Sequence, residues 1–488
     1  VNLSAYDKYL LTASLRADGS SKFKKGNRWA YFPSFSLAWR MEQEAYMKSI
    51  DWLSQLKVRV GYGETGNQGI DPYQSLSIYE NKVDYADGDG NKLTSMQIKS
   101  LQNEGLKWER TSSWNVGLDF GFFNGRLNGA FDYYRKNTKD LLVERALPYS
   151  SGFATVMINE GSLLNKGFEF SLNADIIRSN GWKWNVGGNI GFNKTTIENL
   201  GLEVSDIGSL KGVRGYLGKT IGDHFGPANV FIEGEAPGLF FGYKTQGIIQ
   251  EEDVVDGKVG YISSDGSTKY YTSSVGNDMA AGNIKCVDVN EDGIVDPNDM
   301  VVIGDPNPDF IFGWTNNFSY KGFNLSFLID FRIGGSIYSA TASNLYTRGN
   351  AAGTVVNGDR AEFVVPNTVV QQGSGYAENT VAVTPQNYWE RIGSTGNYGL
   401  PEVYTYSATN VRLRNITFGY EFNRQMLKKT PFQRVRLSAT CNNVWMIHYN
   451  LPGIDPESVA ATNTNATGFE NGAAPTSRSY TFNVTVGF

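Results

Sequence analysis

Along much of this chain apolar and polar residues trade places at every position. Phe323, Leu325, Phe327, Ile329, Phe331 and Ile333 alternate with Asn324, Ser326, Leu328, Asp330, Arg332 and Gly334. Trp182, Trp184, Val186, Ile190 and Phe192 alternate with Lys183, Asn185, Asn189 and Asn193. Similar runs cover 114–122, 168–176, 435–441 and 480–488. A period of two marks a β-strand with two unlike faces. The runs are about 10 to 13 residues long, whereas strands of soluble proteins average roughly 5–6. A tilted strand that crosses a bilayer needs about 9–11. The pattern therefore predicts an all-β fold of membrane-length antiparallel strands, apolar outward and polar inward.

The connections sort into two kinds. Short turns are predicted at 123–126, 178–181 and 320–323, with slightly longer ones at 42–52 and 423–432. Long connections fall strictly between them, at roughly 18–30, 65–111, 140–165, 196–309, 336–407 and 447–476. Short periplasmic turns and long extracellular loops are the habit of outer-membrane barrels. Counting back from the C-terminus gives about twelve strands, an even number that returns both ends to the short-turn side. Arg16, Arg40, Lys57, Arg59, Asp119, Asp132, Glu169, Asp175, Asp330, Arg332, Arg434 and Arg436 all fall on the polar phase. A charge facing lipid at mid-depth costs about 2–4 kcal/mol, so their shared phase is a physical requirement. Internal salt bridging and contact with a plug are the first roles expected of them. The last strand, Tyr480 to Phe488, ends on an aromatic residue. That ending resembles the signal by which bacterial outer-membrane barrels are recognised for assembly.

Composition agrees with this picture and narrows it. The 488 residues include 55 Gly, are 13% aromatic and only 40% hydrophobic. No stretch approaches the roughly 18 consecutive apolar residues of a membrane helix. The net charge of −5 comes without a basic stripe and argues against nucleic acid as a partner. Cys286 and Cys441 form no CxxC or zinc spacing. The sequence opens on strand-like residues with no signal peptide, so further sequence is expected upstream.

Several motifs together resemble a family. Arg16-Ala-Asp18-Gly19-Ser20-Ser21-Lys-Phe23, Phe32-Pro33-Ser34 and Trp39-Arg40 are similar to a stretch of SusC/RagA-type TonB-dependent transporters. So are Gly63-Glu-Thr65-Gly66-Asn67, Asp132-Tyr133-Tyr134 with Asp140-Leu141-Leu142, and Asn165-Lys166-Gly167-Phe168-Glu169. Asp288-Val-Asn290-Glu-Asp292-Gly293, Arg414-Asn415 through Gly419-Tyr420, and Asn442-Asn443 through Asp455-Pro456-Glu457 continue the match in family order. The resemblance implies a barrel of about 22 strands around a plug, with this chain, 1–488, as its C-terminal part. It implies TonB-dependent active import of glycan oligomers or oligopeptides across the bacterial outer membrane. The implied partners are a SusD-like surface lipoprotein, TonB acting through a plug absent from this chain, the oligomer substrate, and membrane lipid. The connections 196–309 and 336–407 are the expected extracellular contact regions.

The sharpest local motif is Asp288-x-Asn290-x-Asp292-Gly293-Ile294-x-Asp296-x-x-Asp299. It sets hard oxygens at positions 1, 3, 5, 9 and 12 of a twelve-residue loop, with the Ile294 carbonyl at 7 and Gly at 6. Position 12 is Asp in place of the usual bidentate Glu, and no amphipathic helix flanks it. A structural Ca2+ bracing an external loop is the metal reading; an acidic surface turn is the plain one. Gly61-Tyr-Gly63-Glu-Thr-Gly66 matches GxGxxG, but Asn67-Gln-Gly69-Ile-Asp71-Pro72 cannot open the helix that a dinucleotide site needs. These glycines are expected at a strand exit. His224, in a long loop, and His448, just beyond a strand end, share no motif with a nucleophile, and Glu251-Glu252-Asp253 reads as solvated charge. The chain is not expected to be an enzyme. Loop aromatics Phe240, Phe241, Tyr243, Tyr270, Tyr271, Tyr388 and Trp389 could stack on sugar faces or fill loop cores. Two other function classes fit less of the pattern: a passive porin or adhesive barrel, and a soluble, calcium-braced carbohydrate-binding β-protein.

Overall fold

The computed structural model describes residues 1–488 except 154, 219–228, 249–253, 256–257, 263–266, 271, 274–283, 367, 374, 393–399 and 460–466. Its framework is a 13-stranded antiparallel sheet. The strands are β1 (Asn2–Ala5), β2 (Tyr9–Gly19), β3 (Trp29–Arg40), β4 (Leu53–Asn67), β5 (Glu109–Phe122), β6 (Leu127–Lys139) and β7 (Ser162–Ser179). They continue with β8 (Trp182–Asn199), β9 (Phe310–Tyr320), β10 (Phe323–Ile333), β11 (Asn410–Glu421), β12 (Arg434–Tyr449) and β13 (Ser479–Gly487). Order in the sheet is order in the chain, and the series is open.

Twelve of these strands are the twelve the alternation predicts. The thirteenth, β1, arises because Tyr6 and Asp7 both sit at φ 54°, a left-handed turn that splits the first run in two. No Gly or Pro punctuates this turn. The first strand therefore leads into a short turn, and Val1 does not lie on the short-turn side as expected.

The chain divides into two compact units, Val1–Ile176 with Asn185–Gly201, and Ile177–Trp184 with Leu202–Phe488. In the first, register keeps like faces together. Tyr9, Leu11, Ala13 and Leu15 of β2 lie opposite Trp39, Leu37, Phe35 and Pro33 of β3, while Thr12 and Ser14 lie opposite Ser36 and Ser34. Across β4, β5 and β6, Val58 meets Leu118 and Leu118 meets Phe131, all on the apolar face. Rings collect at the short-turn ends: Tyr9 stacks on Trp39 at 6.4 Å and Trp52 lies 5.5 Å from Phe122. Amphipathic rings favour the membrane–water interface. The long connections of this unit pack together instead of trailing. Phe23, Phe32, Ile70, Leu106 and Trp108 form a buried cluster, and 78–86, 92–101, 155–159 and 142–146 make a four-stranded sheet.

The second unit repeats the logic. Phe312, Trp314, Phe318 and Tyr320 lie opposite Phe331, Ile329, Leu325 and Phe323. Its short-turn rim carries Trp182 on Tyr320 at 4.0 Å, Phe323 near Tyr420 at 4.6 Å and Phe432 near Phe488 at 5.5 Å. Its long connections have cores of their own. Strand Leu239–Tyr243 is buried at all five positions. Phe241 and Tyr243 join Val230, Leu239 and Val295 in one cluster, and Phe240 joins Tyr338, Tyr404 and Phe469 in another. Burying both faces of a strand explains the unbroken apolar run Leu-Phe-Phe-Gly-Tyr.

Candidate functional site

The polar face of the first unit is a wall of closed charge pairs. Arg59 donates from Nε and Nη2 to Asp119 at 3.0 and 2.8 Å, and from Nη2 to Asp132 at 3.0 Å. Lys57 Nζ lies 2.7 Å from the same Asp119. Register produces this group, because Lys57 sits opposite Asp119, and Arg59 opposite Gly117, which in turn faces Asp132. Gly117 is required by space: a Cβ there would come within 2.5 Å of Asp132 Oδ1 and 2.7 Å of Arg59 Cζ. Arg16 pairs with Asp18 at 2.8 Å, Arg40 with Glu42 at 2.9 Å, and Asn185 donates to Asp175 at 3.0 Å. The internal salt bridging expected of these side chains is found for Arg16, Arg40, Lys57, Arg59, Asp119 and Asp132. Between the charges lies a shallow depression whose lining includes Thr12, Ser34, Ser36, Gly61, Gly63 and Asn115. Hydroxyls and glycine backbone share this lining with the carbon of Phe35 and Tyr62.

In the second unit two arginines tie a long connection to the wall. Strand β11 is bulged against β10 between Leu328 and Ile329, and against β12 around Leu413 and Asn415. The extra residue at a bulge re-aims side chains; here it lets Arg412 and Arg414 work as a pair. Arg412, only 3% exposed, donates to Asp455 at 2.5 Å and to Thr476 at 2.7 Å. Arg414 makes a bidentate bond to Glu457 at 2.5 and 2.9 Å and also reaches Asp330. Thus Asp455-Pro456-Glu457 is clamped to a strand more than forty positions away in sequence, with Leu451 buried beside Ile337 and Ala408. Burial alone would raise the Asp455 carboxyl, but the Thr476 hydroxyl, the Glu457 amide and Arg412 hold it below the usual carboxylate range. In the sequence Arg414 belongs to one motif, Asp455 and Glu457 together to another, and Arg412 to neither. The return of the chain after β12 brings them together, and a period of two does not say where that chain will return. A second buried carboxylate, Glu470, accepts from Ser339 and Thr341, each at 2.6 Å, at the start of helix Ala340–Thr347.

The calcium-type loop folds as a tight turn with its acids turned inward. Glu291 and Gly293 adopt φ 57° and 88°. Asp288 accepts from Gly293 N–H at 2.7 Å, Asp292 from Ile294 N–H at 2.8 Å, and Asp296 from Asn298 N–H at 2.7 Å. Asn290 Oδ1 accepts from Asp292 N–H at 3.0 Å. Asp299 is fully buried and accepts from the backbone of Val289 and Asp296, each at 2.8 Å. Burial pushes its carboxyl up, with the charge of Asp288 adding to the effect. Among the described residues no three His, Cys, Asp or Glu side chains are arranged to hold a metal ion.

Other expectations are relocated. Gly61 and Gly63 lie inside β4, while Gly66 stands one residue before its end; a Cβ on Gly66 would fall 2.1 Å from the Phe32 ring, so a ring occupies that place. His448 lies within β12, exposed, and not beyond it. His224, Glu251, Glu252, Asp253 and Tyr271 lie outside the described residues. Phe240, Phe241 and Tyr243 are core residues, closed to a sugar face. Tyr388 and Trp389, on helix Pro385–Ile392, pack against Phe363 and Tyr346.

Comparison with known proteins follows the same lines. Residues 1–214 match the family described as TonB dependent receptor-like, beta-barrel. The whole chain is 30% identical to TonB-dependent receptor P3 of Formosa agariphila, covering 45% of that protein. Over 95% of its length it is 30% identical to TonB-dependent receptor SusC of Bacteroides thetaiotaomicron, covering 41%. The chain thus spans less than half the length of the curated relatives it matches. Its fold matches the RagAB peptide importer in a closed-closed state, with a TM-score of 0.69 at 20% identity over 99% of this chain and 46% of that one.

Replacing Arg412 by Met would strand the Asp455 carboxylate, and breaking such a buried pair costs about 3–5 kcal/mol. Hydrogen exchange across 450–458 in the full-length protein should accelerate, while exchange in β2 to β8 stays unchanged. The Asp455 contribution is complete above the unfolded aspartate value of about 3.9 and is lost as pH falls through the lower folded value. The same segment should therefore loosen in acid, with no loosening as pH rises from neutral.

Proposed function

Starting from a chain that is outer-membrane β-barrel of the TonB-dependent receptor type, similar to SusC and RagA, we propose that the whole protein imports oligomers across the outer membrane. The chain would be the C-terminal part of the barrel, with its plug and remaining strands supplied by the rest of the protein. Import would be active, driven by TonB through the plug, and the substrate would be an oligopeptide or a glycan oligomer. A SusD-like surface lipoprotein would cap the long-connection side, over 196–309 and 336–407. The observation that carries this reading is the inner wall. At its centre Lys57, Arg59, Asp119 and Asp132 satisfy one another's charge. The surface between them is a shallow depression of Ser, Thr and Gly residues edged by Phe35 and Tyr62. A wall of paired charges and small side chains suits passage of a large polar cargo. Long connections with packed cores add a firm rim on which a capping protein could close. No enzymatic step is assigned to the protein.

A passive porin or adhesive barrel has the same wall but no dependence on energy. Cells carrying the full-length protein should take up labelled oligopeptides or glycan oligomers only when TonB is present, and uptake should fall at least about tenfold without it. Equal uptake in both strains would favour the porin, and no uptake of any oligomer would favour the adhesin. The soluble reading gives way to the outer-membrane placement.

The loop 288–299 is further proposed to hold a structural Ca2+ through Asp288, Asn290, Asp292, Asp296, Asp299 and the Ile294 carbonyl. The donor set is all hard oxygen, and the burial of Asp288 and Asp299 gives a cation charge to offset. The side chains now bonded to backbone N–H groups would have to rotate onto the ion. Millimolar Ca2+ should protect this loop from proteolysis in the full-length protein, with affinity in the roughly 10⁻⁴–10⁻³ M range of extracellular modules. Asp292→Ala should remove that protection. Identical cleavage with Ca2+ and with a chelator would contradict it.

A further inference from the structure

On the lipid-facing side of the first unit the apolar rows end, toward the long connections, at a basic row. Tyr62 lies opposite Trp114, Trp114 opposite Arg135, and Arg135 opposite Lys166. On the next strand, Asn165 bonds Thr195 at 2.8 Å and Phe168 stacks on Phe192 at 5.3 Å, which sets Lys194 beside Lys166. One residue pair nearer the short turns, the same strands carry Val116, Tyr133 and Phe168, with Phe192 following. An apolar row is therefore bordered, toward the long connections, by three adjacent cations on the outward phase.

All three cations are exposed, and among the described residues no ion pair joins any of them to a carboxylate. The acids nearest on this face are engaged elsewhere. Glu64 accepts from Tyr62 at 2.5 Å and lies 3.6 Å from Arg110, and Glu198 accepts from Asn137 at 2.9 Å. Like charges directly opposite one another destabilise a sheet, so Arg135 against Lys166 calls for a counter-charge from outside the chain. The outward phases of β9 and β10 carry no cation at all: Phe310, Phe312, Trp314 and Asn316 on one, Phe327, Ile329, Phe331 and Ile333 on the other. The basic row is thus a local feature and not a general rim.

We propose that Arg135, Lys166 and Lys194 form a binding site for the phosphate groups of an outer-leaflet lipid. Its acyl chains would lie over Tyr133, Phe168 and Phe192. Charge complementarity selects the occupant, since guanidinium and ammonium groups bind phosphate oxygens strongly and juxtamembrane basic clusters hold anionic lipid. The neighbouring rings keep the site at the interface. The inference rests on the outer-membrane placement and on the long connections facing outward, but not on transport.

The test uses the full-length receptor in phosphatidylcholine nanodiscs doped with a bisphosphorylated glycolipid, lipid A, or with its dephosphorylated form. Native mass spectrometry counts the lipid retained. The wild type should keep the phosphorylated form, R135Q/K166Q/K194Q should lose it by roughly tenfold or more, and R135K/K166R/K194R should keep it. Equal retention by wild type and the glutamine variant would overturn the site, as would equal retention of the two lipids. Displacement by millimolar inorganic phosphate alone would show a free-anion site and overturn the lipid assignment. Loss of oligomer uptake with lipid retention intact would count against the transport reading alone.

Discussion

In hydrocarbon a backbone N–H or C=O without a partner costs several kcal/mol, so a chain that crosses a bilayer with strands must hand each such group to a neighbour. The antiparallel ladder from β1 to β13 does this along its length, and every other feature is arranged around it. Because successive side chains point to opposite faces, the same ladder fixes which residues meet lipid and which meet water. Phe, Leu and Val occupy one phase, and Arg59, Asp119, Asp132 and Asp330 the other. The open ends of the series, Asn2–Ala5 and Ser479–Gly487, need partners of the same kind, which this stretch alone does not supply.

Charges on the inner phase are handled by pairing across strands. Lys57, Arg59, Asp119 and Asp132 neutralise one another because register sets them on three adjacent strands. Arg412 and Arg414 use the same chemistry over a longer reach, spending two cations to fix the chain after β12. The outer phase shows the reverse case at Arg135, Lys166 and Lys194, where charge is set out with no ion pair among the described residues. The difference between closed and open charge separates what holds the wall together from what faces something else.

Much of this was legible from period and punctuation. Twelve strands, their faces and the alternation of short and long connections follow from residues such as Phe323 to Ile333, because the ladder imposes a strict period of two. The turn at Tyr6 and Asp7 was not legible, since no Gly or Pro punctuates it and a single Asp within a strand-like run is a weak turn signal. Nor was the Arg412–Asp455 clamp, since a bulge breaks the period that made the strands readable. The loop aromatics show the same limit. Phe240 and Phe241 read equally well as binding platforms or as core, and only the two clusters on either side of Leu239–Tyr243 decide for core. The acidic loop was legible as a motif, and its carboxylates are found bonded to backbone amides. The family resemblance was carried by short motifs whose residues turn out to be structural: Gly66 beneath Phe32, and Arg414 against Glu457.

The central claim is the two-faced membrane wall. It is tested most directly by spin labels placed one at a time along 323–333 in the full-length protein, with Cys441 replaced and the protein reconstituted in bilayers. Accessibility to oxygen, which concentrates in lipid, and to a water-soluble nickel chelate should alternate residue by residue. Positions 323, 325, 327, 329 and 331 should favour oxygen, and 324, 326, 328, 330 and 332 the chelate. Loss of that alternation, or water access at the odd positions, would contradict the account.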